Sequence, residues 1–158
     1  MGYVENNLMD GEEVVYKANI HWLILLPGIL QAALGIAVVV LWGLSGEYRY
    51  IALGAGGLVI LSALWTLLKA LITKLTTELA VTTRRVIAKT GLIRRNTVEM
   101  NHSQVESFIV DQSILGRIFD FGTVIVTGTG GGQTPIPNID SPLEFRRRAL
   151  ETIDSNQR

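Results

Sequence analysis

The chain has no cysteine, which removes disulfides, thiolate nucleophiles and thiolate metal ligands from consideration. Histidine is scarce: His21 and His102 lie far apart, and neither sits in a metal-ligating spacing such as His-Glu-x-x-His. Neither has an orienting partner nearby in sequence, so neither is assigned as a general base. Charge is also low, at 18% of residues, and 14 basic side chains balance 14 acidic ones. No overall field therefore draws the chain to nucleic acid. Ser103, Ser107 and Ser113 lack a Gly-x-Ser-x-Gly elbow. The glycines of Gly128–Gly132 lead into Gln133, Thr134 and Pro135. A phosphate cradle needs a helix or a Lys-Ser/Thr pair there, so this run reads as a hairpin loop. No catalytic residue, metal site or cofactor is expected, and the chain is not read as an enzyme.

What the sequence has in excess is apolar length. Mean hydropathy is +0.34, and the surplus lies in the first half of the chain. Residues 22–44 carry no charge, and residues 51–72 carry only Lys69. Each run covers a hydrocarbon core of about 30 Å as a helix rising about 1.5 Å per residue. The sequence therefore predicts a two-helix transmembrane hairpin over 22–72, a leader over 1–21, and a water-compatible domain over 73–158. The leader, with Glu5, Asp10, Glu12 and Glu13 against Lys17, does not resemble a secretory signal.

Aromatic residues favour the headgroup level, so Trp22, Trp42, Tyr48 and Tyr50 are expected as interface anchors, with Lys69 snorkelling beside them. Small residues at four-residue spacing let helices approach closely. Gly28 with Ala32, Ala33 with Ala37, and Ala52 with Gly56 are the expected packing pairs. The loop between the runs offers only Arg49, whereas Lys74, Arg84, Arg85 and Lys89 follow the second run. Positive-inside bias then puts both termini in the cytoplasm.

Beyond residue 72 the pattern changes to short alternating segments, as at Leu79/Val81, Val98/Met100 and Val124/Val126. This period of two predicts half-buried antiparallel strands. Gly91 marks one hairpin and Gly128–Gly132 another, and Pro135 and Pro137 demote the next strand to an edge. A final helix starts with Ser141 as cap, Pro142 in the first turn and Glu144 completing a capping box. Leu143, Phe145, Ala149, Leu150 and Ile153 form its apolar arc.

These pieces resemble the bacterial pleckstrin-homology-like domain family in its membrane-anchored form. The likeness rests on residues 79–87 (LAVTTRRVI), Gly91, residues 105–107 (VES) and, most specifically, residues 112–123 (QSILGRIFDFGT). Gly11-Glu12-Glu13 and His21-Trp22 match in the leader, while Thr83 stands where relatives often carry Asn. The resemblance implies an α+β membrane protein of the bacterial cytoplasmic membrane. After the hairpin would come a PH-like, strongly bent seven-stranded antiparallel sheet or barrel, plugged by the C-terminal helix.

The functional expectation is a non-enzymatic adaptor or assembly scaffold whose partners are membrane lipids and other membrane proteins or further copies of itself. The first alternative is direct binding of anionic lipid headgroups by a basic hairpin comprising Arg84, Arg85, Lys89, Arg94 and Arg95. A small membrane enzyme is the second alternative.

Overall fold

The computed structural model describes residues 2–43, 48–92 and 95–157. Leu44 at the expected end of the first run, the loop residues 45–47, and Arg94 of the basic hairpin lie outside them. In chain order the elements are α1 (Tyr3–Asn6), β1 (Val14–Ala18), α2 (Leu26–Trp42, preceded by a 3₁₀ turn at Trp22–Leu25) and α3 (Arg49–Thr76). There follow β2 (Glu78–Thr82), β3 (Arg85–Thr90), β4 (Asn96–Asn101), β5 (Val105–Asp111), α4 (Ile114–Ile118), β6 (Phe121–Gly128), β7 (Gln133–Asp140) and α5 (Pro142–Gln157).

Two compact units result: Met1–His21 with Thr76–Arg158, and Trp22–Leu75. The first corrects the expected partition, because residues 1–21 are not a separate leader. They supply β1, which pairs antiparallel with β2, so the four-stranded sheet runs β1-β2-β3-β4. The second sheet runs β5-β6-β7, with proline-bearing β7 at its edge as its sequence predicts.

Among the described residues the seven strands form two sheets rather than one continuous barrel. Residues 19–21 stitch the sheets at one corner. Ile20 bridges to Ile139, the Asp140 N–H donates to the Asn19 carbonyl at 2.9 Å, and the His21 N–H donates to the Asn138 carbonyl at 2.7 Å.

The N-terminal segment also explains why β2 is buried at every residue instead of at alternate ones. Val4 of α1, with Tyr3, Leu8 and Val14 around it, covers Ala80 and Ile87 on the outer face of the sheet. Leu79 and Val81 point to the opposite face by strand alternation, and both are fully buried. The core includes Phe145 of α5, whose ring lies 6.0 Å from Tyr16 on β1 and 6.0 Å, edge-on, from Phe108 on β5. The buried arc of α5 is narrower than predicted: Phe145, Ala149 and Ile153 are inside, whereas Leu143 and Leu150 are exposed. Both Glu144 carboxylate oxygens accept from Arg147 and Arg148 further along the helix.

In the second unit Trp22–Trp42, which is α2 with its leading 3₁₀ turn, and α3 are each long and apolar enough to cross a membrane. α3 is longer than the run predicts, starting at Arg49 and continuing to Thr76, which makes Tyr50 helical. The pairing face is set by glycines and alanines spaced mostly by seven. Gly28 and Gly35 on α2 are buried, as are Ala52, Gly56, Ala63 and Ala70 on α3. A Cβ on Gly56 would lie 2.5 Å from Val39 and 3.0 Å from the Gly35 carbonyl, so the backbones touch there.

Of the expected packing residues, Gly28, Ala52 and Gly56 are buried, Ala32 is half-buried, and Ala33 and Ala37 are exposed. A polar contact crosses the same face. The Gln31 amide donates to the Ser62 hydroxyl at 2.7 Å, and the Thr66 hydroxyl donates back to the Gln31 carbonyl at 3.3 Å. Trp22, Trp42, Tyr48 and Tyr50 are all exposed near helix ends. Lys69 is exposed, and its ammonium lies 5.1 Å from the centroid of the Trp65 ring.

Candidate functional site

The basic hairpin is where sequence and structure diverge most. Arg85 opens β3 and is buried. Its Nε and Nη2 meet the two Glu12 oxygens at 3.0 and 2.9 Å, Nη1 meets Glu99 at 2.6 Å, and Nη2 also donates to the Asn7 carbonyl at 2.8 Å. The Thr82 hydroxyl donates to Glu12 at 2.6 Å, and the Met9 N–H donates to it at 2.8 Å. Burial raises the Glu12 carboxyl pKa, but the bonds from Arg85, Met9 and Thr82 outweigh it and hold the group at about 2. Arg85 is therefore removed from the candidate lipid contacts, because it is buried and each of its three guanidinium nitrogens is hydrogen-bonded inside the domain.

A second carboxylate works in the reverse sense near the start of β2. Glu78 belongs to the sheet and accepts from the N–H groups of Tyr3 and Val4 at 2.8 and 3.4 Å, while Lys17 and Lys89 each approach it at 3.3 Å. Burial again raises this carboxyl, and the Tyr3, Val4 and Lys17 donors bring it below its ordinary value. Lys89 also lies 5.4 Å from the Tyr3 ring centroid, so its charge is compensated where it stands. Glu12 thus fastens the N-terminal segment to β3, and Glu78 fastens α1 to β2. Neither carboxylate's role was legible from its neighbours in sequence.

Of the remaining cations, the described Arg84 and Arg95 do not form one patch. Arg84 lies at the β2–β3 turn, and Arg95 just before β4. The two turns are at opposite ends of a six-residue strand, β3, a separation of about 17 Å at about 3.3 Å per residue. Both side chains are exposed.

Arg84 borders a polar groove of about 580 Å³ lined also by Gly11, Thr83, Asn101, His102, Ser103 and Asn156. It is built from four separate stretches of chain. Asn156 of α5 donates to the Thr83 carbonyl at 2.6 Å and contacts His102 Nδ1 at 3.1 Å, closing one side. His102 is buried, and its Nε2 has no hydrogen-bond partner. Burial lowers its pKa, with the backbone at Thr82 and Arg85 and the Glu12 charge opposing, so the imidazole is neutral at pH 7. The groove therefore offers one guanidinium, two carboxamides and a serine hydroxyl. That set suits hydrogen bonding to a polar, acidic ligand.

At the other end of the domain stands α4, from the stretch that carried the family likeness. Ser113 caps it, accepting from the Gly116 N–H at 3.1 Å. The Gln112 amide donates to the carbonyls of Gly116 and Phe121 at 3.3 and 3.2 Å. Gly116 is pressed against the Phe121 carbonyl, where a Cβ would sit 2.5 Å away. The most specific motif in the sequence is thus a clamp that fixes a single short helix.

Two antiparallel sheets of four and three strands, closed by a C-terminal helix and bearing a polar groove at a strand turn, define a PH-like binding module. The chain belongs to the bacterial PH domain family, which it matches over residues 22–152. That match takes in both apolar helices and begins after β1. No curated protein and no solved structure matches the chain.

Proposed function

We propose that the protein is a membrane-anchored PH-like module that acts without catalysis, as an adaptor or assembly scaffold at the cytoplasmic face of a bacterial membrane. One observation carries this reading: the apolar hairpin is inserted between two adjacent strands of one sheet, β1 and β2. The unit formed by residues 1–21 and 76–158 assembles only if both segments lie on the same side of the bilayer. Two spans satisfy that condition. Support also comes from the outward leucines of both helices, among them Leu30, Leu34, Leu41, Leu58, Leu61 and Leu64, an exposed apolar surface that water does not favour. The Lys and Arg residues after α3 favour the cytoplasmic side.

The adaptor role is assigned to the Arg84 groove, with an acidic segment of a partner protein as its ligand. A general attraction to anionic lipid gains about 1 kcal/mol per basic residue near the surface. Arg85 and Lys89 are already compensated, and Arg84 and Arg95 stand at opposite ends of β3, so the described cations of the hairpin do not concentrate that attraction.

Because the chain has no cysteine, single-cysteine variants test the arrangement cleanly. A membrane-impermeant maleimide applied to intact cells is expected to label Tyr48→Cys, and to label Ser103→Cys only after permeabilisation. Labelling of Ser103→Cys from outside, or recovery of the protein in the soluble fraction, would overturn the proposal. A photo-crosslinker at Ser103 then reads the groove: a discrete protein adduct lost in Arg84→Glu supports the adaptor role, and lipid adducts alone refute it.

A further inference from the structure

The α4 helix presents its apolar side chains outward. Ile114, Leu115 and Ile118 are 80%, 61% and 68% exposed, and Phe119 is also exposed. A water-facing loop does not need three aliphatic residues on one helical turn, nor a clamp to hold them there. Gly116 occupies the inward position, Ser113 and Gln112 fix both ends of the turn, and Asp120 takes up a left-handed backbone (φ +54°) to return the chain into β6. The display is built, not incidental.

Its place in the fold says what covers it. Gly116 rests on Phe121, and the Phe121 ring stacks on His21 with centroids 5.3 Å apart. His21 is the last residue of the two-sheet unit before the chain enters the apolar helices. The β3–β4 turn, carrying exposed Leu92, leaves the first sheet beside Glu78, the other point at which that unit joins the apolar segment. Exposed apolar residues therefore gather at the end of the domain from which the chain departs, and the Arg84 groove lies at the opposite end of β2 and β3.

We infer that α4 is a membrane wedge: Ile114, Leu115, Ile118 and Phe119 enter the headgroup–acyl boundary of the bilayer that holds the apolar helices, and so fix the domain's orientation with its polar groove turned away from the lipid. This rests on the membrane-anchored reading above. The charge around α4 is mixed, with Arg117 against Asp111 and Asp120, so the contact is driven by apolar burial rather than by attraction to anionic lipid.

The test uses the full chain, which lacks native cysteine, reconstituted in phosphatidylcholine vesicles. An environment-sensitive fluorophore is placed in turn on Ile118→Cys, Ile114→Cys, Leu61→Cys in α3, and Thr129→Cys in the β6–β7 loop. The Ile118 and Ile114 probes are expected to shift to the blue and to be quenched most by a nitroxide near the headgroup. The Leu61 probe should be quenched most by a nitroxide at the chain end, and the Thr129 probe by neither. Quenching that persists in high salt supports the wedge, and quenching abolished by salt overturns it. If Ile118 and Ile114 behave like Thr129 while Leu61 is quenched, the wedge fails and the anchor stands. If Leu61 is not quenched, the membrane reading itself fails. A blue shift without lipid quenching, together with an Ile118→Cys disulfide dimer, would mean that a second copy covers the helix, which also overturns the proposal.

Discussion

Ala18 and Leu79 are direct partners in an antiparallel strand pair although both apolar helices separate them in sequence. The hairpin is thus an insertion in the connection between neighbouring strands, and the two-sheet unit does not need it for its own topology. Replacing residues 22–75 with a short Gly-Asn linker is expected to give a water-soluble domain that unfolds cooperatively by circular dichroism. Residues 76–158 alone are expected not to fold. Without residues 1–21 the Ala80/Ile87 face is bare and Arg85 loses Glu12, and breaking a buried ion pair alone costs about 3–5 kcal/mol of a typical 5–15. A folded, monodisperse 76–158 fragment would contradict the assignment of β1.

Arg84 and Arg85 are adjacent in sequence and opposite in role, and stability measurements separate them. Arg85→Ala leaves Glu12 buried with only Thr82 and backbone donors, and should destabilise the domain by about 3–5 kcal/mol. Arg84→Ala removes an exposed side chain, with an expected change within about 0.5 kcal/mol. Denaturant unfolding of the two variants side by side checks this. Equal effects would mean that the Glu12–Arg85 pair is not the fastening described above.

Acid should loosen the N-terminal segment before it unfolds anything else. The Glu12 carboxyl sits at about 2 in the folded chain against an ordinary 4.5. The folded state therefore binds fewer protons there, and the stability this contributes is fully present above pH 4.5 and falls as the pH drops from 4.5 toward 2. At about 1.4 kcal/mol per unit the contribution is about 3 kcal/mol. His102, whose pKa is lowered by burial, adds a smaller loss as pH falls below its ordinary 6.5. Hydrogen exchange at residues 14–18, followed from pH 7 to pH 3, should show protection lost there, and Glu12→Gln should remove most of the pH dependence below 4.5.

Much of the layout is legible in the sequence because it rests on local signals. Run length marks both apolar helices, and period two with glycine punctuation marks the hairpins around Gly91 and Gly128–Gly132. The proline pair at 135 and 137 marks the edge strand. What is hidden is long-range. Val14–Ala18 is a short alternating segment, but nothing local says that its partner lies beyond both helices. Five basic residues within Arg84–Arg95 read as one patch only until strand geometry separates the two turns and Glu12 and Glu78 take up Arg85 and Lys89. Among the small packing residues, a spacing of four marks Gly28, Ala52 and Gly56 but passes over Gly35, Ala63 and Ala70. These recur at seven, the repeat that keeps one seam of a helix facing its neighbour.

That spacing yields the sharpest prediction for the apolar helices, because α3 carries its own controls. Gly54, Gly56 and Gly57 are within one turn, yet a Cβ on Gly54 or Gly57 meets nothing within 4 Å, whereas on Gly56 it meets Val39 at 2.5 Å and the Gly35 carbonyl at 3.0 Å. Neither neighbour can yield easily, since one contact is backbone and the other is a β-branched side chain held in its helix. Gly56→Val must therefore push α2 and α3 apart, at a cost of about 1–3 kcal/mol, in line with overpacking elsewhere, and must stretch the Gln31–Ser62–Thr66 contact. Gly54→Val and Gly57→Val should leave both intact. Cysteine pairs across the seam read this directly: Gln31→Cys and Ser62→Cys, whose native side chains touch, are joined by a short thiol cross-linker only if the helices meet as described. The cross-linking yield should fall in the Gly56→Val background and hold in the Gly54→Val background. Equal yields in all three would show that the two backbones are not in contact at Gly35 and Gly56.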